Sequence, residues 1–280
     1  EACWFPNEVF GLLADRGYLG LKFPGEYGGR GDPVSDAVFV EELARCGSGG
    51  LAAGIGAHPG IALPPIWKFG TDVQKWRYLV PGVIVTAVKT SDEGGHHGLS
   101  FLIVERGPGV ESSALRKLGW HASDTAHIAF DDVFVPEENL LGQENAGFYL
   151  IMANFQWERL LIALGAVGAM RVAFEKAVAR GANGEATRHK LAEIATTLEA
   201  GQAVTYSALR RYVAGEDAVR EVTIAKLATQ RAAFDVMDAC LQIHGDEPEL
   251  ARAARDARLG PIGGGTDEIM KEILGRSLGL

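Results

Sequence analysis

Apolar and polar positions alternate along this chain in three successive textures. Up to about residue 80 the hydrophobic side chains recur at helical spacing. "EVFGLLADRGYLGL" sets Val9, Leu12 and Leu13 on one face and stops at Gly17, and "VSDAVFVEELARCG" opens at a capping candidate, Ser35, and stops at Gly47. Between them "FPGEYGGRGDP" reads as a loop, and "GTDVQKWRYLV" starts a further helix capped by Thr71 or Asp72. From Val83 the runs become short and rich in Val, Ile, Phe and Thr: "VIVTAVKT", "LSFLIVER" and "TAHIAFDDVFV", separated by Gly, Asp and Pro. From Gln143 helical periodicity returns and persists, in three long segments closed by glycines and one short terminal helix. The pattern predicts a mainly α protein with a central β domain. Its three units are an N-terminal helical domain (1–82), a middle antiparallel β domain (83–142) and a C-terminal helical bundle (143–280).

Composition narrows the class of partner. The chain has 280 residues, 47% hydrophobic and 22% charged, enough for a large core. A net charge of −9 without blocks of like charge argues against nucleic acid or an anionic membrane as the main partner. Cys3, Cys46 and Cys240 are odd in number and lack metal spacing. With no signal-like segment or membrane-length apolar span, a cytoplasmic setting is expected. His96 and His97 form a pair with no third ligand at zinc spacing, so no metal is expected and a solvated turn is the reading.

One charge interrupts the pattern. On the first long helix, Phe148, Ile151, Phe155, Ile162, Gly165 and Ala169 share a stripe by steps of three and four, and Glu158 lies inside it. Burial raises a carboxylate's pKa, so such a group is paired, wet, or poised to accept a proton. A buried structural pair with an arginine from another helix and a general base in an apolar pocket both satisfy this. Arg159, adjacent in sequence, points elsewhere and makes a poor partner. Near the end, "IGGGTDEIMKEILGR" places three glycines before a helix capped by Thr266 or Asp267. The run lacks the lysine of a phosphate loop. Trp120 and His121 read as packing and turn residues, and Asp124 as a turn cap.

Several stretches together resemble the acyl-CoA dehydrogenase family of flavoproteins. They are "LGLKFPGEYGGRG" (19–31), "LRKLGWHASDTAHIAFDDVFVPEENLLG" (115–142), "ERLLIA" (158–163), "ATRHKLAE" (186–193), "QIHG" (242–245) and "IGGGTDEIMKEILGRSLGL" (262–280). The resemblance implies an N-terminal helical domain, a middle β-barrel-like domain and a C-terminal four-helix bundle. It also implies FAD as cofactor, an acyl-CoA substrate, electron-transferring flavoprotein as acceptor and a homotetramer built from dimers. The family's reaction removes an α-proton with a carboxylate while the β-hydrogen leaves as hydride. Most members carry that carboxylate at the position of Gly264, which has no side chain here. A branch similar to isovaleryl-CoA and long-chain dehydrogenases places it on the bundle's first helix, at the position of Glu158, and the resemblance therefore makes Glu158 the expected base.

By the same resemblance Arg159, Gly264 and Gly265 are expected on the substrate side, Gly264 through its backbone N–H. Gln242, Gly245, Thr266, Asp267 and Glu268 are expected to contact the cofactor, the first two in a neighbouring subunit and the last three at a helix N-terminus. Each also has a plainer reading: Glu268 as a capping acid, Gln242 as a helix-end polar residue, Arg159 as a solvated arginine. The chain is shorter than the family pattern after "YLVPG" (78–82), near Gly181–Ala182 and after Gly245, all on flavin-contacting segments. A middle domain missing half its strands should not close its edges. The shortfall is therefore expected to be segments left out of the sequence, disordered in a cofactor-free crystal. That predicts residues 82 and 83 too far apart for a peptide bond. The alternatives are an acyl-CoA oxidase of the same fold and a flavin-free acyl-CoA-binding helical scaffold.

Overall fold

The computed structural model describes residues 5–79, 83–92, 94–95, 97–181 and 183–280. Cys3, His96, Ala182 and the junction at Gly82 lie outside the described residues.

Helix α1 (Glu8–Asp15) ends where Gly17 takes φ +73°, a left-handed conformation that suits glycine. Helix α2 (Pro33–Ala44) starts earlier than its sequence suggested. Asp32, not Ser35, is its cap: the Asp32 carboxylate accepts from Val34 N and Ser35 N, and Pro33 sits at the first turn where a missing N–H costs nothing. The glycine- and alanine-rich run after Ser48, assigned to no element from the sequence, is helical. It forms α3 (Gly49–Ala57), a π turn at His58–Ala62 and α4 (Leu63–Phe69). Helix α5 (Asp72–Tyr78) is capped by Thr71 in a reciprocal box with Gln74.

The middle unit is two small antiparallel sheets rather than a barrel. Strands β1 (Val83–Lys89), β2 (Leu99–Glu105) and β5 (Leu140–Leu141) form one, and β3 (Val110–Ala114) and β4 (Ala126–Phe130) the other. In the first, Val83 pairs Glu105 and Lys89 pairs Leu99. Among the described residues no ladder joins the two sheets. A closed barrel needs more strands than the described residues supply.

The C-terminal unit holds α6 (Gly147–Arg180), α7 (Glu185–Val213), α8 (Val219–His244), α9 (Pro248–Ala257) and α10 (Asp267–Ser277). The first three pack against one another, α9 and α10 pack on α8, and α2 packs on α6. One core (Val167, Met170, Leu198, Val236, Met237) lies inside the bundle. A second joins Ala37 of α2 to Trp157, Leu160 and Leu164 of α6 and Val222 of α8. A third joins Phe23, Leu63 and Ile66 to Phe101 and Ile103 of β2 and Leu150 of α6. The two shared cores bind the N-terminal helices to α6 and seat the first sheet on them. Among the described residues no helix is long and apolar enough to cross a membrane, and no group of three or more His, Cys, Asp or Glu could hold a metal.

Candidate active site

Helix α6 has two apolar faces. The fully buried one carries Leu150, Trp157, Leu160, Leu164 and Val167. The stripe singled out in the sequence, Phe148, Ile151, Phe155, Glu158, Ile162, Gly165 and Ala169, is rotated from it and half-buried. The reason is a partly open cavity of about 410 Å³ lined by α3, α6, α8, α9 and the loop before α10, into which Glu158, Ile162, Gly165 and Ala169 face. The stripe is apolar because it lines this space.

Glu158 is half-buried there. Burial raises its carboxyl above the ordinary glutamate range, and the charge of Arg159 works against that rise. Among the described residues its carboxylate has no hydrogen-bond or ion-pair partner. It is neither solvated in bulk nor locked to a cation, and its lone pairs remain available.

Arg159 is not the solvated group of its plainer reading. It is only 4% exposed, lies with its guanidinium 4.7 Å from the Phe155 ring centroid, and donates from Nε to the carbonyl of Gly264 at 3.0 Å. The next carbonyl, of Gly265, accepts from Lys226 Nζ at 2.6 Å. Two cations thus hold two successive peptide oxygens. Because a peptide unit is planar and trans, the N–H groups across the two held carbonyls, those of Gly265 and Thr266, are aimed the opposite way. Among the described residues the N–H groups of Gly264 and Gly265 meet no acceptor. A side chain is strained at either position and would push a neighbour aside. Gly264 has φ +66° and a Cβ there would lie 2.5 Å from Ile162 Cδ1; Gly265 has φ +105° and its Cβ would lie 2.8 Å from Met270 Cε. Gly264 lines the same cavity as Glu158.

The loop is held from α8 as well. Gln230, one turn beyond Lys226, donates to Ile162 O at 2.9 Å and packs so tightly on Gly260 that a Cβ there would fall 2.0 Å from its Oε1. Thr266 caps α10 by accepting from Ile269 N, as expected of it or Asp267. Asp267 is buried and committed to Arg231, Nε to Oδ2 at 2.7 Å. Glu268 is exposed, its carboxyl held low by its own backbone N–H and the Thr266 hydroxyl. The structure does not bring Gln242 and Gly245 to this cavity. Gln242 is exposed near the end of α8 and donates to Asp238 at 2.6 Å, and Gly245 caps that helix with φ +93°.

A second acid shares the cavity. Asp256 of α9 is 8% exposed and accepts from Gly49 N at 3.0 Å and Trp120 N at 2.6 Å. Burial raises its carboxyl, and these two backbone donors oppose the rise. Lys226, Gln230 and Asp256 escaped the sequence reading. Lys226, wholly buried among Val222, Thr223 and Thr229, breaks an apolar face just as Glu158 does and was open to the same argument. Asp256 sits in a short helix of mixed polarity and carried no such signal. Asp124 and Trp120, read as turn residues, border the cavity.

Family models for the acyl-CoA dehydrogenase N-terminal and C-terminal domains match residues 1–83 and 145–279. The chain is 29% identical to isovaleryl-CoA dehydrogenase of Oryza sativa, covering 98% of this chain and 84% of the other. That alignment runs over 344 positions, more than this chain has residues, so the relative carries internal segments without counterpart here. The mouse long-chain specific acyl-CoA dehydrogenase is 30% identical over 97% of this chain and 79% of its own. The crystal structure of acyl-CoA dehydrogenase from Geobacillus kaustophilus superposes with a TM-score of 0.92 at 30% identity, covering 99% of this chain and 91% of that one. With both domain models matched in order, beside a cavity that joins the Glu158 carboxylate to the glycine loop, the chain belongs to the acyl-CoA dehydrogenase family.

Proposed function

We propose that this protein, an oxidoreductase of that family, converts an acyl-CoA thioester to its trans-2-enoyl product with Glu158 as the base. The observation that carries the reading is an unpaired carboxylate, raised by burial, lining an apolar cavity that Gly264 also borders. An α-proton next to a thioester is weakly acidic. Removing it calls for a base that is ionised yet poorly hydrated, and for donors that receive the enolate-like charge on the carbonyl oxygen. Glu158 has the first property, and the free N–H groups of Gly264 and Gly265 supply the second. Arg159 and Lys226 act through the backbone, holding that loop in place.

The ring end of a flavin fits this site: the cavity is apolar, and Gly263 and Gly264 let backbone approach closely. When bound, FAD supplies the acceptor for the β-hydrogen as hydride. Thr266 at the start of α10 is the residue suited to the cofactor's polar part within one copy, since Asp267 is taken by Arg231. Gln242 near the end of α8 and Gly245 just beyond it, both exposed, serve the cofactor of a neighbouring copy in a homotetramer, with electron-transferring flavoprotein as the electron acceptor.

The test is anaerobic mixing of the FAD-loaded chain with acyl-CoA, following loss of visible flavin absorbance. Glu158→Gln is expected to slow bleaching by ~10²–10⁴-fold. Bleaching at the unmodified rate removes Glu158 from its role, and a chain that stays colourless after FAD addition favours the flavin-free scaffold.

A further inference from the structure

Helix α6 presents Glu158 to the cavity, and the residue just before it, Trp157, to the core shared with α2, α7 and α8. Trp157 is 2% exposed and the largest of the fully buried side chains. Three polar side chains gather here. The Lys22 ammonium, from the chain between α1 and α2, lies 4.6 Å from the Trp157 ring centroid. Tyr212 of α7 lies against the same ring, with centroids 5.0 Å apart and planes at 31°. Asp36, in the first turn of α2, stands with Oδ2 3.9 Å from Lys22 Nζ, where the helix N-terminus also favours its charge. The rest of the surrounding core is apolar, and α8 adds only Val222 and Ala225 to it.

Among the described residues six buried side-chain atoms lack a hydrogen-bond partner. Four of them belong to this cluster: Lys22 Nζ, both Asp36 oxygens and Trp157 Nε1. The Lys22 and Asp36 side chains are only 7% and 1% exposed. An ion pair so buried, and too long for a hydrogen bond, adds little to stability, because desolvation offsets its attraction. What it supplies is geometry. The ammonium keeps its charge there only beside a carboxylate and an aromatic face, so cation, acid and ring fix one another's places. Each comes from a different element, and the one from α6 is next to the base.

Resting on the reading of Glu158 as the base, we infer that Lys22 and Asp36 are positioning residues: the pair seats Trp157, and through it the turn of α6 that aims Glu158 into the cavity. Trp157 and Glu158 share one helical turn, so a ring that shifts carries the carboxylate with it. Among the described residues no other charged side chain acts on the pair. Glu158 and Arg159 are turned to the cavity and the glycine loop, and Asp32 is spent on capping α2. Burial and the charge of Asp36 keep the Tyr212 hydroxyl protonated. Burial also lowers Lys22 to about 7 and raises Asp36 to about 6, each opposed by the charge of the other. Both are charged together only in that narrow range, and just above it Lys22 loses its proton.

Two readouts on the full chain test this. The first needs no catalysis: indole emission, taken as the difference between the unmodified chain and Trp157→Phe, is followed across neutral pH. An ammonium so close to the ring alters that emission, so a step is expected at about 7 and should be absent from Lys22→Met/Asp36→Leu. The second is anaerobic flavin reduction of the FAD-loaded chain by acyl-CoA. Its rate should fall as pH rises through about 7, although Glu158 only loses protons on that rise. There kcat should drop roughly 10–100-fold with little change in KM, the scale of a small displacement at a reacting centre. Lys22→Arg carries a cation that stays charged, so it should abolish the alkaline fall. Lys22→Met/Asp36→Leu leaves no buried charge unpaired, so it should fold and yet be slow at every pH. A Trp157 signal flat through neutral pH, an alkaline fall that persists in Lys22→Arg, or a double variant working at the unmodified rate each overturns the inference. Should the double variant not fold, the Lys22→Arg profile and the emission step decide. Glu158→Gln separates the two readings. If it bleaches flavin at the unmodified rate, the base assignment fails while the Trp157 step stands; if it is slow and the double variant is not, only the positioning role fails.

Discussion

Glu158 and Asp256 face one cavity from opposite sides, and burial raises both. They differ in what their oxygens touch. Asp256 accepts from the backbone of Gly49 and Trp120 and so draws α9, the start of α3 and the loop after β3 together. Glu158 accepts from nothing among the described residues. A buried carboxylate with both oxygens engaged ties backbone together, whereas one with free oxygens in an apolar space has lone pairs left to accept a proton. Position in the cavity does not distinguish them; hydrogen bonding does.

The contrast is broken most sharply by replacing each acid in turn. Glu158→Gln should lose the orders of magnitude in flavin reduction given above while its unfolding midpoint moves little. Asp256→Ala should do the reverse and lower unfolding free energy in denaturant titration by about 3–5 kcal/mol, since two buried backbone N–H groups lose a charged acceptor. An Asp256 variant that unfolds normally but fails to reduce flavin would invert the assignment.

A smaller effect is expected at the loop. Arg159→Met leaves the Gly264 carbonyl without its donor at a cost of about 1–3 kcal/mol. Because Arg159 acts through the loop, kcat should fall more than KM rises, and Arg159→Lys should restore only part, as an ammonium cannot reproduce the guanidinium's place over Phe155. A change confined to KM would argue for direct substrate contact instead.

The smallest effect is in pH dependence. Glu158 has a folded pKa above its unfolded one, so its contribution to stability is fully present below the unfolded value and is lost as pH rises through the folded value. Glu158→Gln cannot ionise and should therefore gain stability relative to the unmodified chain on going from acid to neutral pH. The rate of flavin reduction runs the other way, falling as pH drops through the same raised pKa. Parallel stability curves for the two proteins would mean that Glu158 is not desolvated.

Much of this was legible in the chain. Periodicity located α1, α2, α5 and the long helices, because an amphipathic helix writes its buried face at steps of three and four. Glu158 stood out as a charge where that rule forbids one. The continuous helical run from Gly49 to Phe69 escaped because glycine, alanine and proline carry little periodic signal, and because its small residues serve a cavity rather than a core. The cap of α2 was misplaced by three residues because Asp32 and Ser35 are both good caps, and only Pro33 at the first turn decides between them.

The sequence by itself determined the order of textures, the family resemblance, and the coincidence of a glycine at 264 with an acid at 158. Those are local or linear properties, and a linear string records them. Only the tertiary structure decided that the stripe through Glu158 faces a cavity and that Arg159 grips the glycine loop instead of solvent. Only it showed that Asp256 is held by backbone donors while Glu158 is not, and it resolved the middle unit into two small sheets. Each depends on which distant backbone groups arrive beside a given side chain, and hydrogen-bond partners more than a hundred residues away leave no trace in local pattern.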